Sequence, residues 1–115
     1  MKCEIRKIPK IGRGLFAIED IEKDELIEIA PVILVKVGSV SDENFNNYPM
    51  CWTDEYDCIA LGYMNLINHA ENSNCSIEND YANLTKKLFA KSKIHIGEQL
   101  TIIYACALWF EPEVI

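Results

Sequence analysis

The sequence predicts a mainly β fold. Apolar runs are short and rich in Ile, Val and Leu. Gly, Pro and Asn punctuate them, and no internal repeat, low-complexity stretch or linker breaks their spacing. The chain has 115 residues, 50% of them apolar, which bounds it to one domain over 1–115 with a small core.

The elements follow in order. Glu4 to Ile8 alternates weakly, Gly12-Arg13-Gly14 reads as a turn, and Leu15 to Ile18 as the strand after it. Glu19 to Glu28 is crowded with carboxylates around Ile21 and Leu26 and reads as a solvated loop. Leu26 to Val37 is rich in Ile and Val but contains Pro31. Proline removes a ladder donor, so two strands with a bend or a bulged edge strand are expected. Ser41 to Tyr56 reads as an irregular insert, with a short helix N-capped by Ser41 and Asn44 at its third position. Cys58 to Leu61 is a short strand. Cys75 to Asn79 and Leu84 to Ala90 form a strand pair, and Gly97-Glu98 turns into a β-run from Gln99 to Tyr104. The tail, Ala105 to Ile115, is too short for a helix stable by itself.

Charge and cysteine usage exclude several classes. With 11 Lys+Arg against 18 Asp+Glu the net charge is −7, and no basic stripe exists to displace counterions from phosphates, so no nucleic-acid partner is expected. No apolar run approaches the ~20 residues a spanning helix needs, so no membrane partner is expected either. The N-terminus has no apolar signal region, and the 5 cysteines contain no Cys-x-x-Cys. An intracellular location, no metal site and ordinary core cysteines are the expectations.

Taken singly, the remaining features are weak. Gly12-x-Gly14 occurs in many turns, Asn68-His69 is most often a structural polar pair, and Tyr104 ends an apolar strand as many half-buried tyrosines do. Their order is specific. Gly12-Arg13-Gly14-Leu15-Phe16-Ala17 comes first, then Ile21-Glu22-Lys23-Asp24-Glu25-Leu26-Ile27-Glu28. Ala60 to Ala70 contains Asn68-His69, Asn74 follows five residues after His69, and Ile96 to Tyr104 closes the series.

This series closely resembles the SET-domain family of protein lysine methyltransferases, from about Ile8 to Trp109. It most resembles the minimal viral and bacterial members, which lack cysteine-rich zinc flanks. The resemblance implies a β-clip-like SET fold of several small sheets with a C-terminal pseudoknot, where Asn68-His69 and Tyr104 meet. It implies S-adenosyl-L-methionine as cofactor, held by Gly12, Arg13, Gly14, Leu15, Asn68 and His69, with Trp109 against the adenine. Small residues let the backbone approach a cofactor closely, and a guanidinium pairs well with a carboxylate.

Tyr104 matches the catalytic tyrosine. It would orient the methyl group during direct transfer to a neutral lysine amine, where alignment supplies most of the gain. Tyr56, Tyr63, Ile102 and Phe110 are candidates for the substrate channel, with core packing as the competing reading. The expected partner is a lysine in a basic protein segment such as a histone tail. The acidic stretch from Asp42 to Asp57 is a candidate docking surface for it, with a solvated loop as the alternative. A homodimer is a further expectation, from β-edges and from Trp109 and Phe110 near the end of the chain.

Some positions depart from the family pattern. Ala70 stands in place of Ser, Ser73 in place of Pro, and Ala105-Cys106-Ala107 follows Tyr104. They motivate a second reading, a catalytically silent SET-like module that binds peptides or dimerises.

Overall fold

The computed structural model describes residues 1–42, Phe45 and 48–103. Tyr104, Trp109, Phe110 and the tail lie outside the described residues, as does most of the helix expected near Ser41. In that stretch Phe45 N–H donates to Asp42 O at 3.1 Å and Tyr48 N–H to Phe45 O at 3.0 Å.

Strands β1 (Cys3–Ile8) and β2 (Gly12–Ala17) form an antiparallel hairpin. The turn falls on Pro9 to Ile11, three residues before the expected Gly-x-Gly turn, and Ile11 N–H closes it on Ile8 O at 3.1 Å. Gly12 leaves the turn at φ +125°, a conformation that excludes a β-carbon in practice. Gly14 therefore lies inside β2, paired with Arg6.

The stretch from Leu26 to Val37 is also corrected. It is one long strand, β3 (Leu26–Lys36), with an irregularity between Leu26 and Glu28. It occupies the centre of a sheet ordered β4-β5-β3-β8-β7, where β4 is Met50–Cys51, β5 Tyr56–Ala60, β7 Cys75–Asp80 and β8 Thr85–Ala90. A central strand tolerates Pro31 because its two ladders are offset. Pairing with β8 ends at Pro31, and pairing with β5 begins at Val32. Pro31 O still accepts from Leu61 N–H at 2.8 Å, just past the end of β5, so the missing donor costs no rung.

The second sheet is ordered β1-β2-β9-β6, with β6 at Asn68–His69 and β9 at Gln99–Ile102. The β6 and β9 strands run parallel, pairing Asn68 with Thr101 and His69 with Ile102. A parallel pair needs a long connection, and the β7-β8 hairpin provides it. That hairpin was legible in the sequence, as was the turn into β9.

The two sheets share one core. Leu15, Ile21, Met64, Leu88, Ile94 and Leu100 are fully buried. Ile21 and Ile94 exchange both backbone hydrogen bonds, at 2.8 and 2.9 Å, in an isolated bridge between segments. Cys3, Cys58 and Cys75 are free buried thiols. Burial pushes Cys3 up to about 11 and Cys75 up to about 12, so both behave as inert core groups.

Candidate active site

The approach to Asn68 is built by a carboxylate and an amide from distant segments. A single 3-10 turn spans Tyr63–Leu66. Its first N–H groups have no partners within the turn. Glu28 supplies them: Oε2 accepts from Tyr63 N–H at 2.9 Å and Oε1 from Met64 N–H at 2.8 Å. A β-carbon at Gly62 would lie 2.9 Å from that carboxylate, so the glycine lets the cap seat. Asn65 then fixes the far side, accepting from Ala60 N–H at 2.9 Å and donating to Tyr48 O at 3.1 Å. Met64 is buried beneath, and the chain leaves the turn directly into Asn68.

At Asn68 three strands converge. Its Nδ2 donates to Arg13 O on β2 at 3.0 Å and to Gln99 Oε1 on β9 at 2.9 Å. A carboxamide nitrogen has two N–H donors, so both are used. Oδ1 is left as the acceptor of a side chain whose orientation is fixed. Gly14 makes this approach possible, since a β-carbon there would lie 2.6 Å from Gln99 Oε1 and 2.9 Å from Asn68 Nδ2. The requirement at Gly14 is space, whereas the requirement at Gly12 is φ.

The crossing is tied again a few residues on. Asn74 Nδ2 donates to Gln99 O at 2.8 Å, and Thr101 N–H donates to Asn74 Oδ1 at 2.9 Å. One side chain thus completes the backbone ladder of β9, in the manner of a neighbouring strand. Ala70 N–H donates to Ile102 O at 3.0 Å, so this backbone contact forms without a Ser hydroxyl at position 70.

The structure brings Gly12, Arg13, Gly14 and Asn68 together, with Leu15 beside them. Leu15 contributes backbone, because its side chain is fully buried and its pairing is to Leu100. Arg13 and His69 are exposed, and Arg13 makes no ion pair among the described residues. Tyr63 is exposed on the 3-10 turn, Tyr56 is half-buried at the start of β5, and Ile102 is buried in the shared core. Tyr104 lies two residues beyond the end of β9 in sequence.

Sequence reading missed two contributors. Glu28 falls in the overlap of the expected Glu19–Glu28 loop and the Leu26–Val37 strand run and carried no role there, although a lone carboxylate between Ile27 and Ile29 in a β-run signals an acceptor role. Gln99 carried no such signal, because its partner is 31 positions away. Among the described residues, no cluster of His, Cys, Asp and Glu is arranged to hold a metal ion. An open cavity of about 560 Å³ is lined by Asp24, Ser76, Glu78, Phe89, Ala90 and Lys91, and it shares no residue with the Asn68 network.

A buried cation lies under the insert. Lys86 is 4% exposed, its Nζ donates to Asn79 Oδ1 at 2.7 Å, and it sits 6.0 Å from the centre of the Trp52 ring. Burial pushes its ammonium below the ordinary lysine value. Tyr81 covers Trp52 at 4.7 Å between ring centres and donates its hydroxyl to Trp52 O, so this cluster anchors β4 and the insert to the β7-β8 hairpin.

Two sheets joined at a parallel crossing, with an Asn-His strand tied to a glycine strand, define the SET-domain class. The chain belongs to that family: the SET domain sequence profile matches residues 12–105. The histone-lysine N-methyltransferase of Schizosaccharomyces pombe described as specific for H3 lysine-37 is 32% identical over 114 residues, covering 96% of this chain and 78% of that protein. A crystal structure of a Plasmodium falciparum protein described as a histone methyltransferase aligns with TM-score 0.74 and 26% identity, over 93% of this chain and 100% of the other. By these relationships the chain is an enzyme, a protein-lysine N-methyltransferase of the SET type.

Proposed function

We propose that the chain transfers a methyl group from S-adenosyl-L-methionine to the ε-amine of a lysine in a basic protein segment. A histone tail is the first substrate to try, because the S. pombe relative is described as acting on histone H3. An intracellular location, nuclear in a eukaryotic host, follows from the same reasoning.

The Asn68 network carries this reading. Its fixed Oδ1 acceptor suits an ammonium, and the exposed guanidinium of Arg13, which makes no ion pair among the described residues, suits a carboxylate. An amino-acid moiety presents both groups, so the residues present fit the methionyl end of this cofactor. When bound, the cofactor supplies an electrophilic methyl on a sulfonium. The chain's own part is to hold, to orient and to keep water out, and covalent catalysis is not needed. The lysine must shed its proton before it attacks, which a desolvating channel favours. Tyr104 is assigned to orienting the reacting groups with its hydroxyl, and Trp109 to the adenine. Five carboxylates and no cation between Ser41 and Asp57 give a basic segment a surface to dock on.

Calorimetric titration with the cofactor tests the first half. Saturable binding is expected, and no heat at millimolar cofactor rejects the reading. A protein that binds cofactor and basic peptides but never transfers a methyl group is instead the silent module.

A further inference from the structure

The core face of β3 carries a carboxylate. Glu28 pairs with Leu88, a fully buried residue, so its side chain leaves the strand toward the core. The strand spends three residues, Leu26 to Glu28, where β8 spends two, Phe89 and Leu88, an irregularity of the kind that re-aims a side chain. Among the described residues no Lys or Arg lies within ion-pair distance of Glu28. An anion half-buried without a cation costs stability, and an apolar residue there would serve packing as well. What Glu28 does instead is hold the Tyr63–Leu66 turn, taking the N–H groups of Tyr63 and Met64 at 2.9 and 2.8 Å. The turn's own first bond, from Asn65 N–H to Gly62 O, is long at 3.5 Å, so Glu28 is the principal hold on Tyr63.

We propose that Glu28 is a positioning residue for methyl transfer, which sets the backbone of Tyr63 and thereby aims its ring at the substrate lysine. Of the described channel candidates, Ile102 is buried in the core and Tyr56 is half-buried, whereas Tyr63 is 39% exposed and free to meet a substrate. The effect falls on the substrate side. Asn68 has its own holds on Arg13 O and Gln99 Oε1, neither of which involves Glu28. This inference rests on the lysine-transfer reading proposed above.

Transfer kinetics with a lysine-containing histone H3 peptide, and calorimetry with the cofactor, test it on the full chain. Glu28→Gln keeps the size and one acceptor oxygen. It should lower kcat/KM for the peptide about tenfold or more, with cofactor affinity within about twofold of the wild type. Tyr63→Ala should give a comparable loss, and adding Glu28→Gln to it should cost at most about twofold more. Asp80→Ala removes the carboxylate that binds Asn83 in the β7-β8 turn and serves as the control for stability alone, with unchanged kinetics expected. If Glu28→Gln does not fold, Gly62→Ala supplies the same comparison, because its β-carbon would lie 2.9 Å from both carboxylate oxygens and drive them off the turn. Unchanged peptide kinetics in folded Glu28→Gln overturn the inference while the transfer reading stands. So do equal losses of peptide kinetics and cofactor affinity, or full additivity with Tyr63→Ala. A wild type that binds cofactor and peptide without transfer makes peptide affinity the deciding quantity, under the same comparisons. A wild type that binds neither overturns the transfer reading and this inference with it.

Discussion

Replacing Gly14 by alanine separates positioning at the site from stability of the fold. The new methyl group would start 2.6 Å from Gln99 Oε1, 2.8 Å from Ile8 Cδ1 and 2.9 Å from Asn68 Nδ2. An ordinary contact needs about 3.5 Å or more, so all three atoms must retreat. Ile8 retreats easily, because its methyl group is half-exposed at the end of β1. Gln99 and Asn68 cannot both retreat and keep their 2.9 Å hydrogen bond. Losing that bond costs about 1 kcal/mol, and small overpacking about 1–3 kcal/mol. If the first amount is felt at the Asn68 acceptor, cofactor affinity falls about five- to tenfold. Calorimetry gives the affinity, and thermal melting gives the stability. Unchanged affinity in a folded Gly14→Ala protein would refute the claim that the Gly14–Asn68–Gln99 approach sets the cofactor site.

Two further outcomes are expected. Asn74→Ala leaves Gln99 O and Thr101 N–H without partners at the crossing and should cost about 2–4 kcal/mol, a fall of roughly ten degrees in melting temperature measured by calorimetry. Lys86→Met should alter the pH dependence of stability. The folded pKa of Lys86 lies below 10.5, so the unfolded chain binds more protons between that lowered value and 10.5, and the lysine's contribution rises with pH across this window. Cys3 and Cys75 act oppositely above 9.0, since their folded values are raised. The difference between wild-type and Lys86→Met urea curves isolates the lysine, and a flat difference would contradict its burial as a cation.

Local patterning made part of the structure legible. The β7-β8 hairpin and β9 declare themselves through short apolar runs bounded by turn residues, and the Gly-x-Gly and Asn-His motifs name the strands that meet. The register of the first hairpin was not legible, because Lys10 takes a positive φ of 67° that a lysine does not advertise. Pro31 argued against a central strand, and only the offset of two ladders explains it. Glu28 and Gln99 act on partners more than 30 positions away, which no local window reaches.

The central claim is that the Asn68 crossing holds the cofactor and delivers its methyl group beside Tyr104. Transfer of labelled methyl onto a panel of basic proteins that includes histone H3, by the wild type and by Tyr104→Phe, tests it most directly. The account predicts label on lysine with the wild type. It predicts a loss of at least about a hundredfold with Tyr104→Phe, while cofactor affinity stays within about threefold. A wild type that binds cofactor and labels nothing, or a Tyr104→Phe protein that loses binding and transfer equally, would contradict it.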